Sequence, residues 1–193
     1  PTYTNIAAIN TGQFGINGLI SNAALFSINL PPTGTESIAS LYNNGTPPNL
    51  NSYSSLERWY KLNDQDTFNS GTAAGYSPYA IELNGIDQNF TIDNSSEDLN
   101  VEYLTVSIWF KPDVAKTAAL IANRYFTIGY MSWTIQTFTD GRIRYLQRSP
   151  NLGTSFYTTD TYNVGEWNHV AVTYDPVNGG KIYLNGGSPA VNT

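Results

Sequence analysis

Eight consecutive residues, 104–111, alternate without interruption between a large apolar side and a second side of different character. Leu104, Val106, Ile108 and Phe110 share one face, and Thr105, Ser107, Trp109 and Lys111 share the other. A repeat of two is the period of a β-strand, and it calls for a sheet with one face against a core. Pro112 ends the run because it has no N–H to give to a ladder. Similar segments recur with turn residues between them. Residues 133–138 and 142–147 flank Asp140-Gly141, a pair suited to the positive φ angles of a tight hairpin. A strand from Trp167 to Tyr174 stops at Asp175-Pro176 and the Asn178-Gly179-Gly180 turn, and 181–184 closes on Asn185-Gly186. Earlier, 80–83 and 90–92 flank Asn84-Gly85. The pattern predicts an all-β sandwich.

Composition narrows the function classes. Charged residues make up 12% of the 193 positions, about half the usual share, while aromatics make up 13%. That aromatic load supplies enough buried surface for a packed fold, so disorder is excluded. The formal charge is −6, and Arg142, Arg144 and Arg148 form the one loose basic cluster, so a nucleic-acid partner is not expected. There is no cysteine, hence no disulfide frame, thiolate nucleophile or cysteine metal site. No apolar run approaches the roughly 18 residues of a membrane span, and no stretch reads as a secretory leader. The first residue is Pro1 rather than Met, which reads as a processed chain or a piece of a longer product.

One stretch departs from strand periodicity. Thr33 and Glu36 have capping-box spacing, and Ile38, Leu41 and Tyr42 then fall on one helical face. Asn43-Asn44-Gly45 offers a left-handed C-cap and Pro47-Pro48 blocks continuation, so a short helix is expected over about 35–43, docked on an edge or mouth of the sandwich. Residues 46–55 read as a linker.

From residue 54 onward the order of segments becomes specific. These are 55–62 (Ser-Leu-Glu-Arg-Trp-Tyr-Lys-Leu), 80–85 (Ala-Ile-Glu-Leu-Asn-Gly), the 104–112 strand, 165–175 (Gly-Glu-Trp-Asn-His-Val-Ala-Val-Thr-Tyr-Asp) and 181–186 (Lys-Ile-Tyr-Leu-Asn-Gly). Together they resemble a laminin-G-like domain of the concanavalin A-like superfamily. The resemblance implies a jelly-roll sandwich of two antiparallel sheets. Domains of that kind continue past the Asn-Gly turn with further strands and commonly end in a short helix. Here 6–9, 15–26 and the helix look like that ending, placed at the start of the chain. Residues 1–45 thus read as closing strands and terminal helix, and 56–193 as a sandwich lacking its last strands. Gly18, Leu19, Ile20, Ala23, Leu25 and Phe26 would be the assembly strands, serving the same chain, a neighbouring copy head-to-tail, or one window of a tandem array. A cropped chain is the remaining alternative. Residues 41–47 followed by 59–62 are similar to tandem laminin-G-like repeats of marine phage structural proteins, which implies an extracellular or virion surface.

Little in the chain suggests catalysis. His169, the single histidine, lies in an alternating strand with no carboxylate pattern nearby and reads as structural. Gly75-Tyr76-Ser77-Pro78-Tyr79 lacks the closing Gly of a nucleophile elbow. No strand carries the paired acids of a glycosidase; Asp64-Gln65-Asp66 and Glu97-Asp98 lie in polar loops. Calcium is the one cofactor those loops could hold, on Asp64, Asp66 and Asn69, or on Asp93, Asn94 and Asp98, although neither has EF-hand spacing. Sugar faces stack on aromatic rings, which makes Tyr125, Tyr130 and Trp133, with Arg144 across the hairpin, the candidate ligand contacts. Aromatics in a sandwich more often belong to cores and cross-strand pairs. The expected function is a non-catalytic structural module that assembles with copies of itself through sandwich completion. The alternative is a lectin-like adhesion module for surface glycans.

Overall fold

The computed structural model describes residues 2–6, 15–62, 70–71, 76–77, 80–93, 103–125, 132–148 and 153–192. Strands β1 (Thr2–Ile6) and β2 (Asn17–Phe26) precede a short helix, α1 (Ile38–Tyr42). Then come β3 (Leu56–Tyr60), β4 (Ser70–Gly71), β5 (Tyr76–Ser77), β6 (Ala80–Asn84) and β7 (Phe90–Asp93). The longer strands follow as β8 (Leu104–Pro112), β9 (Ala118–Tyr125), β10 (Ser132–Thr137) and β11 (Ile143–Arg148). The chain continues through β12 (Gly153–Tyr157), β13 (Asn168–Asp175), β14 (Gly179–Leu184) and β15 (Ala190–Asn192).

Two antiparallel sheets result, the sandwich expected from sequence. One has the order β12-β11-β10-β9-β1-β7-β4; the other runs β15-β14-β13-β8-β2-β6-β5, with β3 also paired to β2. The core between them is built from the apolar side of each alternating strand, including Ile108 and Phe110 of β8, Ile135 of β10, Tyr145 of β11 and Val170 and Val172 of β13. The two opening strands both lie inside a sheet of their own chain. β1 sits between β9 and β7, and β2 between β8 on one side and β6 and β3 on the other.

β2 changes phase partway along. Ile20, Ala23 and Leu25 all face the inter-sheet core, although a strict two-residue repeat would put 20 and 23 on opposite faces. The register against β8 shifts between Ser21 and Ala24, and Asn22 takes a left-handed conformation at φ 47°. This β-bulge inserts one residue and turns Ala24 and Phe26 to the outer face. At the other end of β2, Gly18 has φ 138°, and a Cβ there would lie 2.1 Å from the Lys111 carbonyl oxygen. Gly34 has φ 125° but open space around it. Gly18→Ala is therefore expected to lower the urea midpoint clearly more than Gly34→Ala, by about 1–3 kcal/mol of stability or more. Equal losses would show that the β2–β8 approach tolerates a methyl group.

The outer face of the β2 sheet is covered rather than solvated, which corrects the expectation of a one-sided β8. Thr105, Ser107 and Trp109 are buried there as fully as their inward neighbours. The cover is α1 and its flanks: Ile38 and Leu41 pack with Leu30, Leu50, Phe26, Ala171 and Tyr183 in a second apolar cluster. The helix therefore docks on the face of the sheet and not on an edge or mouth. Thr105 Oγ1 fastens the approach by donating to the Ile28 carbonyl (2.6 Å) and accepting from the Leu30 amide (2.9 Å).

Two local expectations change. The capping box is formed by Ser37 and Ser40, not Thr33 and Glu36: Ser37 Oγ accepts from the Ser40 amide, and Ser40 Oγ accepts from the Ser37 amide. Glu36 instead accepts from the Ser54 amide at 2.7 Å and the Ser55 hydroxyl at 3.0 Å, contacts that lower its pKa, the Ser54 amide most. Asn43 does supply the left-handed cap, at φ 43°. Residues 46–55 are no free linker, because Leu50 is buried and Tyr53 donates its hydroxyl to Ser40.

Candidate functional site

Beside α1, the outer face of the β2 sheet opens into a groove of about 480 Å³. Its aromatic lining is Trp59 of β3, Trp109 of β8 and Trp167 from the turn before β13. Ser21, Asn22, Asn49 and Lys61 add polar groups, and Gly45, Pro47 and Pro48 form the wall that continues from α1. The volume lies within the range of small-ligand sites.

Each tryptophan is placed by a different local cause. Trp109 faces outward because of the alternation in β8, opposite Ser21 on one side and His169 on the other. Tyr42, the last residue of α1, stacks on it with ring planes 8° apart and centroids 6.0 Å apart. The Asn185–Gly186 turn lets Tyr42 in: a Cβ on Gly186 would come within 2.4 Å of the Tyr42 ring. Trp59 is held by the bulge. Its indole Nε1 donates to Asn22 Oδ1 at 3.0 Å, while Asn22 Nδ2 donates to Ser21 Oγ at 2.8 Å. The Asn22 amide also donates to the Lys61 carbonyl at 3.1 Å, which ties the bulge to the end of β3. Lys61 Nζ lies 4.8 Å from the Trp59 ring centre, a cation–π contact. Trp167 is 40% exposed and has left the strand assigned to it from sequence, since β13 begins at Asn168.

Such a lining suits a ligand with flat apolar faces and hydroxyl edges. The described lining residues include no carboxylate, histidine or hydroxyl-base pair, so none of them supplies the two acids of glycoside hydrolysis.

His169 lies beneath the groove, not in it. The ring is fully buried, tilted against Trp109 at 4.9 Å, with Nε2 2.8 Å from Ser107 Oγ. Desolvation pushes its pKa down to about 3, so it is neutral at physiological pH. Nδ1 has no hydrogen-bond partner among the described residues. An orphaned lone pair costs less than an orphaned N–H, so Nε2 carries the proton and donates to Ser107. A sealed Ser–His pair of this kind serves packing.

Of the sugar contacts expected from sequence, Trp133 and Arg144 do not converge. Trp133 points into the inter-sheet core, 2% exposed, and its Nε1 has no partner among the described residues. Arg144 lies on the opposite, outer face of the same sheet. There its guanidinium donates to Gln136 Oε1 through both Nε (3.1 Å) and Nη2, and stands 5.0 Å from the Phe138 ring. Tyr125 ends β9, but its side chain lies outside the described residues, as does Tyr130 altogether. Asp64, Asp66 and Asn69 also lie outside them, as do Asn94 and Asp98 of the alternative loop. Among the described residues no three His, Asp or Glu side chains gather as a metal site.

Sequence reading missed the groove because its tryptophans were assigned to strands or to motif positions. The available signal was Trp109 on the otherwise polar and small side of β8, a large aromatic where a solvated face would carry none. A family model described as the Concanavalin A-like lectin/glucanases superfamily matches residues 84–193, more than half of the chain. Trp109 and Trp167 fall within that match, whereas Trp59, Lys61, Ser21 and Asn22 precede it. Neither the curated proteins nor the solved structures include a match to this chain.

Proposed function

Because the chain belongs to the concanavalin A-like lectin/glucanases superfamily, whose laminin-G-like members are typically non-enzymatic binding modules, we propose that it binds glycans in an adhesion role through the three-tryptophan groove. The observation that carries this reading is the meeting of Trp59 and the exposed Trp167 with Asn22 and Asn49 in one groove, over the buried Trp109. Indole faces take up the apolar side of a pyranose, and amide and hydroxyl groups fix its edge. Trp59 is already held by Asn22, so less side-chain freedom is lost on binding. No helix of the described residues is long and apolar enough to cross a membrane, and laminin-G-like domains are often extracellular, the setting where glycans are met.

Trp167→Ala is expected to weaken glycan binding about 2- to 10-fold, the worth of one aromatic contact, with the thermal midpoint unchanged because the side chain is well exposed. Glycan-array screening followed by calorimetry checks this. An array silent with and without calcium, or an affinity indifferent to Trp167 and Trp59, removes the reading.

Self-assembly by exchange of β2 is a second reading, in which the strand would leave the sheet of its own chain. Its partners are distant in sequence, as in Leu25 opposite Val106, so the strand could be exchanged between copies. Mass in solution over a wide concentration range tests it, and a strictly monomeric chain rules it out.

A further inference from the structure

We propose that the groove selects an acidic sugar, one carrying a single carboxylate of uronate or sialate type, and that Lys61 reads that carboxylate. This rests on the glycan-binding reading above and adds the ligand's charge. Acidic residues outnumber basic ones by 15 to 9 in this chain, yet the one charged group among the described lining residues is a cation. The Lys61 ammonium makes no ion pair with any described residue. Glu57 of the preceding strand, β3, is engaged by the Ser27 hydroxyl at 2.5 Å.

Position matters as much as charge. Lys61 lies over the Trp59 ring, and that ring is held by Asn22 at the bulge, so the ammonium is fixed on the wall of the groove that the exposed Trp167 also lines. A pyranose lying on Trp167 carries an exocyclic carboxylate at its own edge, turned toward a cation of the same groove. A neutral sugar gains nothing from the ammonium, whereas a carboxylate gains a charge-assisted hydrogen bond. The overall charge of −6 sets the other bound: it repels polyanions at long range, and one lysine cannot compensate. The fit is to an isolated carboxylate on an otherwise neutral glycan.

The test compares sialyllactose with lactose, and a glucuronate-terminated disaccharide with its glucose-terminated counterpart, by calorimetry on the whole chain. The acidic member of at least one pair is expected to bind about tenfold more tightly in low salt. Lys61→Met should bring the acidic-to-neutral affinity ratio to about one and Lys61→Arg should keep it, with the thermal midpoint in place in both, since Lys61 is exposed. Trp167→Ala should weaken both members alike. Equal binding of acidic and neutral members, or a preference that survives Lys61→Met, overturns the acidic-sugar inference and leaves glycan binding standing. Failure of every probe to bind at millimolar concentration, alongside a silent array, removes both.

Discussion

Phe26→Ala is expected to cost about 3–5 kcal/mol of stability, the range for deleting a buried phenylalanine when the site cannot collapse around the loss. Phe26 is 1% exposed and lies on the outer face of its sheet only because the Asn22 bulge has shifted the phase of β2. It packs with Ile38 and Leu41 of α1 and with Leu30 and Leu50, and its ring meets Tyr53 at 5.8 Å. The helix is a single short turn and a half and cannot hold itself in water, so it depends on this seat. The consequence reaches the site, because the 45–48 wall continues from α1 and Tyr42 covers Trp109. Urea denaturation should show the stability loss, and glycan affinity should fall further than stability-matched substitutions in the inter-sheet core make it fall. A loss below about 1 kcal/mol would mean that the outer cluster is not what holds the helix down.

Acidification should destabilise the chain well before its carboxylates titrate, and His169 is the reason. Its pKa is about 3 when folded, against 6.5 as a free group, because burial disfavours the charged ring. The unfolded chain therefore takes up the proton first. Stability is complete above pH 6.5 and falls by about 1.4 kcal/mol per pH unit below it, continuing toward pH 3. Between neutral pH and pH 5 the loss comes to about 2 kcal/mol. The groups around the ring are Tyr42, Trp109 and Ser107, which place no carboxylate or amine beside it. His169→Gln should be less stable at pH 7.5 but nearly flat from there to pH 5 in urea titrations. A wild-type slope retained in that variant would assign the acid sensitivity elsewhere.

The legible part of the molecule was the part governed by local periodicity. β8, β13 and the β10–β11 hairpin stand close to where alternation and turn residues placed them, and the left-handed cap at Asn43 was readable from Asn-Asn-Gly. The capping box was misassigned because Thr33–Glu36 and Ser37–Ser40 share the same spacing, and only the backbone geometry at Ser37 separates them. Within the expected sugar site, Trp133 departs from its expected place for a different reason. Trp133 and Trp109 both sit in alternating strands, and alternation tells two faces apart without telling which one meets the opposite sheet. Trp133 took the inter-sheet core and Trp109 the outer face, where Tyr42 covers it, so the ring chosen for sugar stacking faces away from the groove.

Sequence by itself determined the all-β class, the two-sheet sandwich and the superfamily, because strand period, turn chemistry and the order of motifs are written in neighbouring residues. Only the tertiary structure decided that β1 and β2 run inside the sheets of their own chain, and that Trp59, Trp109 and Trp167 share one groove. Those outcomes depend on what covers the second face of a sheet. That cover comes from a helix seated by a one-residue bulge far from it in sequence, and no local pattern in β3, β8 or β13 carries the information.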